Sequence, residues 1–325
     1  HAMLAPPISV RSSVTLEEQA LSLLLRSPHL SLSQILELLD VGDAEFRDIA
    51  ARNHSPLVLG VQENGGSFLA SDIPALLPYT RKIIFLEDQE MAILTTDSWQ
   101  VMDLDNGAPI DKEVHTINWN AAMAEKTGYK HFMLKEIFEQ PLAILNTFRG
   151  RLDPETGRVN LPEAELDHDF LNSIKRISLV ACGTSWHAAL VAKYWLEKWT
   201  GIPVDVDIAS EFRYRTLLLD DSVLVIPISQ SGVTADTLAG MRRAKKFDAK
   251  VVTICNVVGS TMTREANGTI YTHAGPEIGV ASTKAFTSQL TALVLLTMLI
   301  GQERNTIKPD QSRELAQALI ELPDL

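Results

Sequence analysis

Short runs of β-branched residues alternate with longer helical runs from Lys175 onward, and this alternation is the feature that most constrains the fold. Strands that alternate with helices of roughly 10–15 residues are typical of a parallel sheet, since each crossover returns the chain to the same end of the sheet. The pattern therefore predicts an α/β fold with helices on both faces of the sheet. The predicted strands are 177–181, 204–208, 223–228 and 250–255, and the predicted helices are 188–199, 235–246 and 285–299.

Residues 1–53 have a helical pattern and are predicted to form a small helical segment. Capping-box spacing occurs at 15–18 and again at 31–34, where a hydroxyl side chain precedes Glu or Gln by three residues. The apolar spacing over 32–49 would also suit a helix-turn-helix, but acidic residues outnumber basic ones there. A packing or dimerising unit is therefore favoured over a DNA-reading one.

Residues 54–125 are predicted to form a partial antiparallel β-region followed by a linker. Short β-rich runs at 56–60, 67–70 and 82–86 are separated by turn residues such as Asn-Gly-Gly at 64–66. A helix is then predicted through Phe132, Ile137 and Leu142.

The overall charge and the cysteine content exclude several classes of partner. A formal net charge of −12 disfavours nucleic acid and anionic membranes, because both carry negative charge. Only two cysteines are present and both lie in apolar runs, so we predict no metal site and a reducing, cytoplasmic compartment. The longest apolar run, 290–300, is shorter than the roughly 20 residues of a membrane span. We predict no membrane partner and no cofactor.

Two loops combine glycine with hydroxyl side chains where a predicted strand ends and a helix begins. The first loop, 182–185, reads Cys-Gly-Thr-Ser, and the second loop, 229–234, reads Ser-Gln-Ser-Gly-Val-Thr. Phosphate oxygens accept hydrogen bonds from exposed backbone N–H groups and hydroxyls at the positive end of a helix. Neither loop has the spacing of a Walker loop or of a dinucleotide site.

Helix capping is a simpler explanation for each loop taken alone, because Ser, Thr and Gly are favoured at helix starts without any ligand. Two such loops on successive strands favour a ligand more strongly. A third loop, 277–284, reads Glu-Ile-Gly-Val-Ala-Ser-Thr-Lys and again places hydroxyls before an apolar helix. The three loops together make capping alone a weaker explanation, and a phosphate site stays open beside it.

Four segments carry a resemblance to a known family: Ala-Cys-Gly-Thr-Ser at 181–185, Ala-Ser-Glu-Phe-Arg-Tyr-Arg at 209–215, Ser-Gln-Ser-Gly-Val-Thr-Ala-Asp-Thr at 229–237, and Glu-Ile-Gly-Val-Ala-Ser-Thr-Lys-Ala-Phe-Thr at 277–287. In order and spacing they are similar to the first sugar-isomerase (SIS) domain of the glucosamine-6-phosphate synthases, which are glutamine-dependent fructose-6-phosphate aminotransferases. The resemblance implies a flavodoxin-like SIS domain over 126–310. It also implies that 54–125 holds the end of a glutaminase domain with its linker.

The resemblance further implies two sets of contacts to fructose 6-phosphate or glucosamine 6-phosphate. The set that holds the phosphate is Ser229, Gln230, Ser231 and Thr234. The set near the sugar is Thr184, Ser185 and Ser282, with Cys182 and Gly183 shaping the first loop. Val233 stands where the family usually has glutamate, and a modest effect is expected because that side chain is not expected to hold phosphate. The family also implies a homodimer through the SIS domain.

Other polar residues near these loops are expected to be structural. His187 is expected to pack on its helix, and Glu277 is expected to organise the third loop rather than abstract a proton. Glu211, Arg213 and Arg215 are expected to form a salt-bridged surface or interface.

No residue of this chain is predicted to be catalytic. In the family, an N-terminal cysteine releases ammonia, and a lysine, a carboxylate and a histidine from a second SIS domain and its tail isomerise the sugar. The sequence has neither that cysteine nor that domain, and 311–325 is expected to begin the connector to it. Enzymatic activity is therefore left open. Three interpretations stand: part of a synthase, a sugar-phosphate-binding regulatory module, or a structural SIS partner.

Overall fold

The chain divides into two units, which are described separately: residues up to 118 and residues from 119 onward. The computed structural model describes residues 48–52, 57–62, 66–71, 73, 75–95, 98–117 and 126–325. Most of the predicted helical segment, with both capping boxes, lies outside the described residues. Its last part does not form a helix, because Asp48–Arg52 is strand β1 and pairs along its whole length with a strand of the first unit. Tertiary pairing overrides the local helical pattern there.

The described strands of the first unit form two antiparallel sheets, as the sequence predicts. Their orders are β1-β5-β6-β7 and β3-β2-β4-β8. Leu59, Ile84, Leu94 and Val101 belong to one buried cluster that draws on both sheets. The strands after β1 are β2 Val58–Val61, β3 Ser67–Ala70, β4 Lys82–Phe85, β5 Glu90–Leu94, β6 Trp99–Asp103, β7 Pro109–Ile110 and β8 His115–Thr116.

A five-stranded parallel sheet forms the centre of the second unit, which confirms the predicted α/β class. The strands run in the order β10-β9-β11-β12-β13, which is the flavodoxin-like order 2-1-3-4-5 within this sheet. They are β9 Arg176–Ala181, β10 Val204–Ile208, β11 Val223–Ser229, β12 Lys250–Cys255 and β13 Gly268–Tyr271.

Helices cover both faces of this sheet, also as predicted. Successive strand residues point to opposite faces, so Leu179 packs in a cluster with α4 and α8, whereas Val180 packs in another with α5 and α6. The helices are α1 Phe132–Phe138, α2 Gln140–Phe148, α3 His168–Ser173, α4 Gly183–Thr200, α5 Ala209–Phe212, α6 Ala235–Lys245, α7 Thr261–Glu265, α8 Lys284–Glu303 and α9 Pro309–Glu321.

Helix α8 is the main core helix of the second unit. By length and composition it could cross a membrane, and it is the single such helix among the residues that the structure describes. However, 67% of its apolar window is buried inside the fold, and Leu293, Leu295 and Leu296 are fully buried. Burial of this kind makes the predicted helix 285–299 part of the core.

Two elements differ from the helices that the sequence predicts. The helix expected through Leu142 is divided at Glu139 into α1 and α2, because Pro141 lacks an N–H and disfavours continuation from the preceding turn. Residues 311–325 fall mostly within α9, whose Leu315 and Leu319 pack on the core of the second unit. The role of this segment as a connector stays a prediction.

Candidate functional site

The first and second loops lie side by side at the carboxyl edge of the parallel sheet. They follow β9 and β11, which are neighbours in the sheet with Ala181 paired to Ile228. From these two strands the chain leaves in opposite directions, towards β10 and towards β12. Ligands of open α/β sheets bind in the crevice at such a switch point, so the topology brings the two predicted loops together at the position where a site is expected.

In the second loop, hydroxyl groups surround a tight turn. The Ser229 hydroxyl accepts a hydrogen bond from the Gly232 N–H at 3.0 Å and lies 2.9 Å from the Thr234 hydroxyl oxygen. Ser229 is buried at 3% exposure, whereas Gln230, Ser231 and Thr234 are half-buried. The turn therefore has a fixed inner hydroxyl and polar groups that a ligand can reach.

Gly232 is the residue on which this turn depends. Its φ is +69°, and a Cβ added there would lie 2.0 Å from Ser260 Oγ and 2.7 Å from Cys255 Sγ. The Met262 N–H donates to the Gly232 carbonyl at 3.0 Å and fixes the turn from the α7 side. Only glycine satisfies both the left-handed backbone and the lack of space.

The first loop is more open. Gly183 has a φ of +57°, and a Cβ there would meet nothing within 4 Å. Thr184 is exposed, Ser185 is buried at 8% exposure, and Cys182 is half-buried with its sulfur 4.0 Å from the Thr237 hydroxyl on α6. The Cys182 contact ties the first loop to the helix that follows the second loop.

Side-chain capping does not explain the composition of these loops. Cys182 and Thr234 are the N-cap residues of α4 and α6, and neither side chain makes a capping hydrogen bond. The first-turn N–H groups of both helices therefore have no side-chain acceptor from their N-cap, and helix starts of this kind can accommodate an anion.

In the third loop, Glu277 acts as the organiser that the sequence predicts. Its carboxylate accepts from the Ser282 hydroxyl at 2.9 Å and from the N–H groups of Thr283 and Ala285 at 2.8 and 3.1 Å. The carboxylate thus satisfies the start of α8. Within the described residues, Ser282 makes no hydrogen bond to the first or second loop.

Asn256 is a site residue that the sequence prediction missed. It follows β12 and is 3% exposed. Its N–H donates to the Gln230 carbonyl at 3.2 Å, and its amide group donates to the Gly275 carbonyl at 2.7 Å and accepts from the Ala274 N–H at 2.8 Å. Asn256 therefore connects the second loop to the segment that leads into the third loop. The sequence signal that could have identified Asn256 is its position as a polar residue directly after a buried strand.

The remaining polar candidates behave as surface groups. His187 is exposed but packs on its own helix as expected, with its Nδ1 2.9 Å from the Gly183 carbonyl and its ring edge-on to Trp186 at 5.0 Å between ring centroids. Arg213 and Arg215 do form the predicted salt bridges, with Asp236 and Asp207 at 2.7 Å each.

Both cysteines of the chain are free thiols. Cys255 is fully buried beneath the second loop, and burial raises the pKa of its thiol. A protonated thiol at neutral pH is a packing group rather than a nucleophile.

A separate cleft of the described residues lies away from these loops. It has a volume of about 910 Å³ and lies between the segment 150–168 and the C-terminal end of α8. It contains none of the predicted site residues. Glu303 in its wall is paired with Arg158 and His168.

The fold and the paired loops define a SIS domain. Residues 170–299 match the family model described as SIS domain. This part of the chain is therefore a member of that class, as the resemblance in the sequence predicts.

Comparison with individual proteins indicates which kind of SIS domain the chain carries. It is 48% identical over 276 residues to the glutamine–fructose-6-phosphate aminotransferase [isomerizing] of Symbiobacterium thermophilum, covering 85% of this chain and 45% of that protein. It is 46% identical over 275 residues to the protein of the same name from Methanosarcina acetivorans, covering 85% and 44%. A solved structure, the C-terminal domain of the glucosamine-fructose-6-phosphate aminotransferase from Francisella tularensis, matches with a TM-score of 0.58 and 44% identity, covering 62% of this chain and 56% of that one.

These matches confirm the resemblance found in the sequence. The chain carries a SIS domain of the kind that glutamine–fructose-6-phosphate aminotransferases contain. It spans about 45% of the length of the curated relatives that it matches.

Proposed function

We propose that this chain is the fructose-6-phosphate-binding isomerase half of a glutamine-dependent fructose-6-phosphate aminotransferase, which makes glucosamine 6-phosphate. The observation that carries the proposal is the pair of hydroxyl-rich loops at the switch point of a SIS-type sheet. Its relatives at 46–48% identity bear the name of that enzyme, which supports the same substrate.

The phosphate is assigned to the second loop. Ser231 and Thr234 offer partly exposed hydroxyls, Gln230 offers an amide, and the buried Ser229 hydroxyl lies behind Thr234. The start of α6 adds N–H groups and the positive end of its dipole. This set binds a dianion without a lysine or arginine in the loop, which suits a sugar phosphate that must be released after the reaction.

The sugar is assigned to the first and third loops. Thr184 is the exposed hydroxyl of the first loop, with Ser185 behind it. Ser282 is half-buried and bonded to Glu277. These residues orient the substrate, and orientation by bound, non-reacting groups lowers the entropic cost of the reaction. We assign no catalytic residue to this chain.

Calorimetric titration with fructose 6-phosphate and glucosamine 6-phosphate tests the proposal, with fructose as the control that lacks phosphate. An assay for glucosamine 6-phosphate with glutamine or ammonium runs beside it. We expect saturable binding of both phosphates, no binding of fructose, and no turnover by this chain alone. Absence of binding would overturn the proposal, and turnover would show that catalytic groups have been misassigned.

We also propose that the chain forms a homodimer through its SIS domain. Large apolar side chains on α1 and α2 are solvent-exposed within the single chain, among them Phe138 at 64% and Leu142 at 57%. An exposed apolar face of this kind is typical of a subunit interface. Analytical ultracentrifugation at tens of micromolar should show a dimer, and a purely monomeric species would contradict this proposal.

The two free cysteines fit a reducing compartment, and we propose the cytoplasm.

A further inference from the structure

A carboxylate on α1 is buried against the backbone of the third loop. Glu136 is only 2% exposed. Its Oε1 accepts from the Ile278 N–H at 2.6 Å and from the Gly279 N–H at 3.1 Å, and its Oε2 accepts from Gly279 at 3.2 Å. The two residues that it holds are 142 and 143 positions away in the chain.

The third loop is built to receive this carboxylate. A Cβ on Gly279 would lie 2.5 Å from Glu136 Oε2 and 3.4 Å from the backbone of Met133. The glycine therefore allows the loop to approach α1 closely enough for both N–H groups to reach one carboxylate. Consecutive N–H groups that point at a single anion form a charge-assisted contact stronger than one between neutral groups.

An ion pair holds the other end of the same loop. Lys284, the first residue of α8, is 3% exposed and donates to Glu139 at 2.7 Å. Lys135 lies 3.4 Å from the same carboxylate. Glu136 of α1 therefore holds the start of the third loop, and Glu139, the residue after α1, holds its end. Between these two contacts, Glu277 fixes Ser282.

We infer that Glu136 is a positioning residue, which sets the third loop so that Ser282 reaches the sugar part of the substrate. The inference rests on the proposed function, because the ligand is that of the same site. Glu136 does not contact the second loop in the described hydrogen bonds, so its removal should weaken recognition of the sugar and leave recognition of the phosphate in place.

The test compares Glu136→Ala with Glu136→Gln in the full chain. Affinity for fructose 6-phosphate is measured by calorimetry, and affinity for inorganic phosphate by ligand-observed phosphorus NMR. We expect Glu136→Ala to bind fructose 6-phosphate about tenfold more weakly and phosphate within about twofold of wild type. Glu136→Gln keeps one acceptor oxygen, so its affinity for fructose 6-phosphate should lie between those of wild type and Glu136→Ala. Glu303→Ala, a carboxylate at the far end of α8, is the matched control and should change neither affinity.

Gly279→Ala perturbs the same contact from the other side. This variant should weaken fructose 6-phosphate binding as well. The double variant Glu136→Ala/Gly279→Ala, however, should bind fructose 6-phosphate no more weakly than Glu136→Ala alone, because the added methyl group then has no carboxylate to clash with. Additive losses would contradict the assigned contact.

Hydrogen exchange on the unliganded chain separates this inference from the proposed function. The amides of Ile278 and Gly279 should exchange faster in Glu136→Ala than in wild type, with Glu136→Gln intermediate. Unchanged exchange, or equal weakening of fructose 6-phosphate and phosphate, would overturn the positioning role. Failure of the wild-type chain to bind fructose 6-phosphate would instead overturn the proposed function. The exchange rates would then test only whether Glu136 holds the backbone of the third loop.

Discussion

At the scale of single residues, the strongest test concerns the hydroxyls of the second loop. The hydroxyl oxygens of Ser229 and Thr234 lie 2.9 Å apart. Ser229 supplies the buried hydroxyl of the turn, and Thr234 supplies an accessible one. The double variant Ser229→Ala/Thr234→Ala should weaken fructose 6-phosphate binding at least about 100-fold, since several charge-assisted hydrogen bonds to phosphate are lost together.

The matched control for that variant is Ser222→Ala. Ser222 directly precedes β11, at the end of the strand away from the second loop, and its hydroxyl donates to Asp220. Circular dichroism should show the same fold for both variants, and calorimetry should show full affinity for Ser222→Ala. Unchanged affinity in the double variant would refute the assignment of the phosphate to this loop.

A titratable residue beside the sheet gives a prediction about pH. Loss of hydration, together with the nearby Arg151 guanidinium, lowers the pKa of His273. The unfolded chain therefore takes up this proton more readily than the folded chain, so the free energy of unfolding falls as the pH drops below about 6.5. The side chain keeps part of its exposure to solvent, so the contribution is small.

The variant His273→Asn should remove this contribution. Asparagine tolerates the φ of +50° at this position. Urea unfolding of both proteins at about pH 7.5 and pH 5.5 should show a smaller loss of stability in the variant. An equal or larger loss would mean that the proton uptake occurs elsewhere.

At the scale of elements, the turn between β11 and α6 depends on a glycine for two separate reasons. Gly232→Ala has both an unfavourable φ and a clash with Ser260 and Cys255. We expect a loss of about 3 kcal/mol or more in the free energy of unfolding. Gly201→Ala is the matched control, because its φ of +71° is similar but a Cβ there meets nothing within 4 Å.

The control variant should lose only about 1 kcal/mol, the cost of the backbone conformation alone. Chemical denaturation followed by tryptophan fluorescence measures both values. Equal losses in the two variants would show that packing beneath the second loop is not tight.

Elements with a strong local pattern could be predicted from the sequence, whereas elements fixed by tertiary contacts could not. Strands β10 and β12 have the predicted bounds because β-branched residues give each a clear local pattern, alternating with Asp in Val204–Ile208 and nearly continuous in Lys250–Cys255. Strand β13 was missed since it has four residues and starts at Gly268, where a Cβ would lie 2.1 Å from the Ala164 carbonyl oxygen. Its position is set by close backbone approach, which leaves little trace in hydrophobic periodicity.

The same distinction holds for the site. The first and second loops were predictable because glycine and hydroxyl residues directly follow two apolar strands. Asn256 and Glu136 were not, because each acts on backbone groups of a segment distant in sequence. Single-sequence patterns report local preference, and these contacts exist only once the sheet and α1 are packed.

At the scale of the whole molecule, we propose that a single SIS-type unit carries a hexose-phosphate site. A crystal structure of the chain grown with fructose 6-phosphate tests it most directly. We expect a phosphate within hydrogen-bond distance of Ser231 and Thr234, with the sugar directed towards Thr184 and Ser282. A phosphate bound in the cleft beside Glu303, or an empty switch-point crevice at saturating ligand, would contradict it.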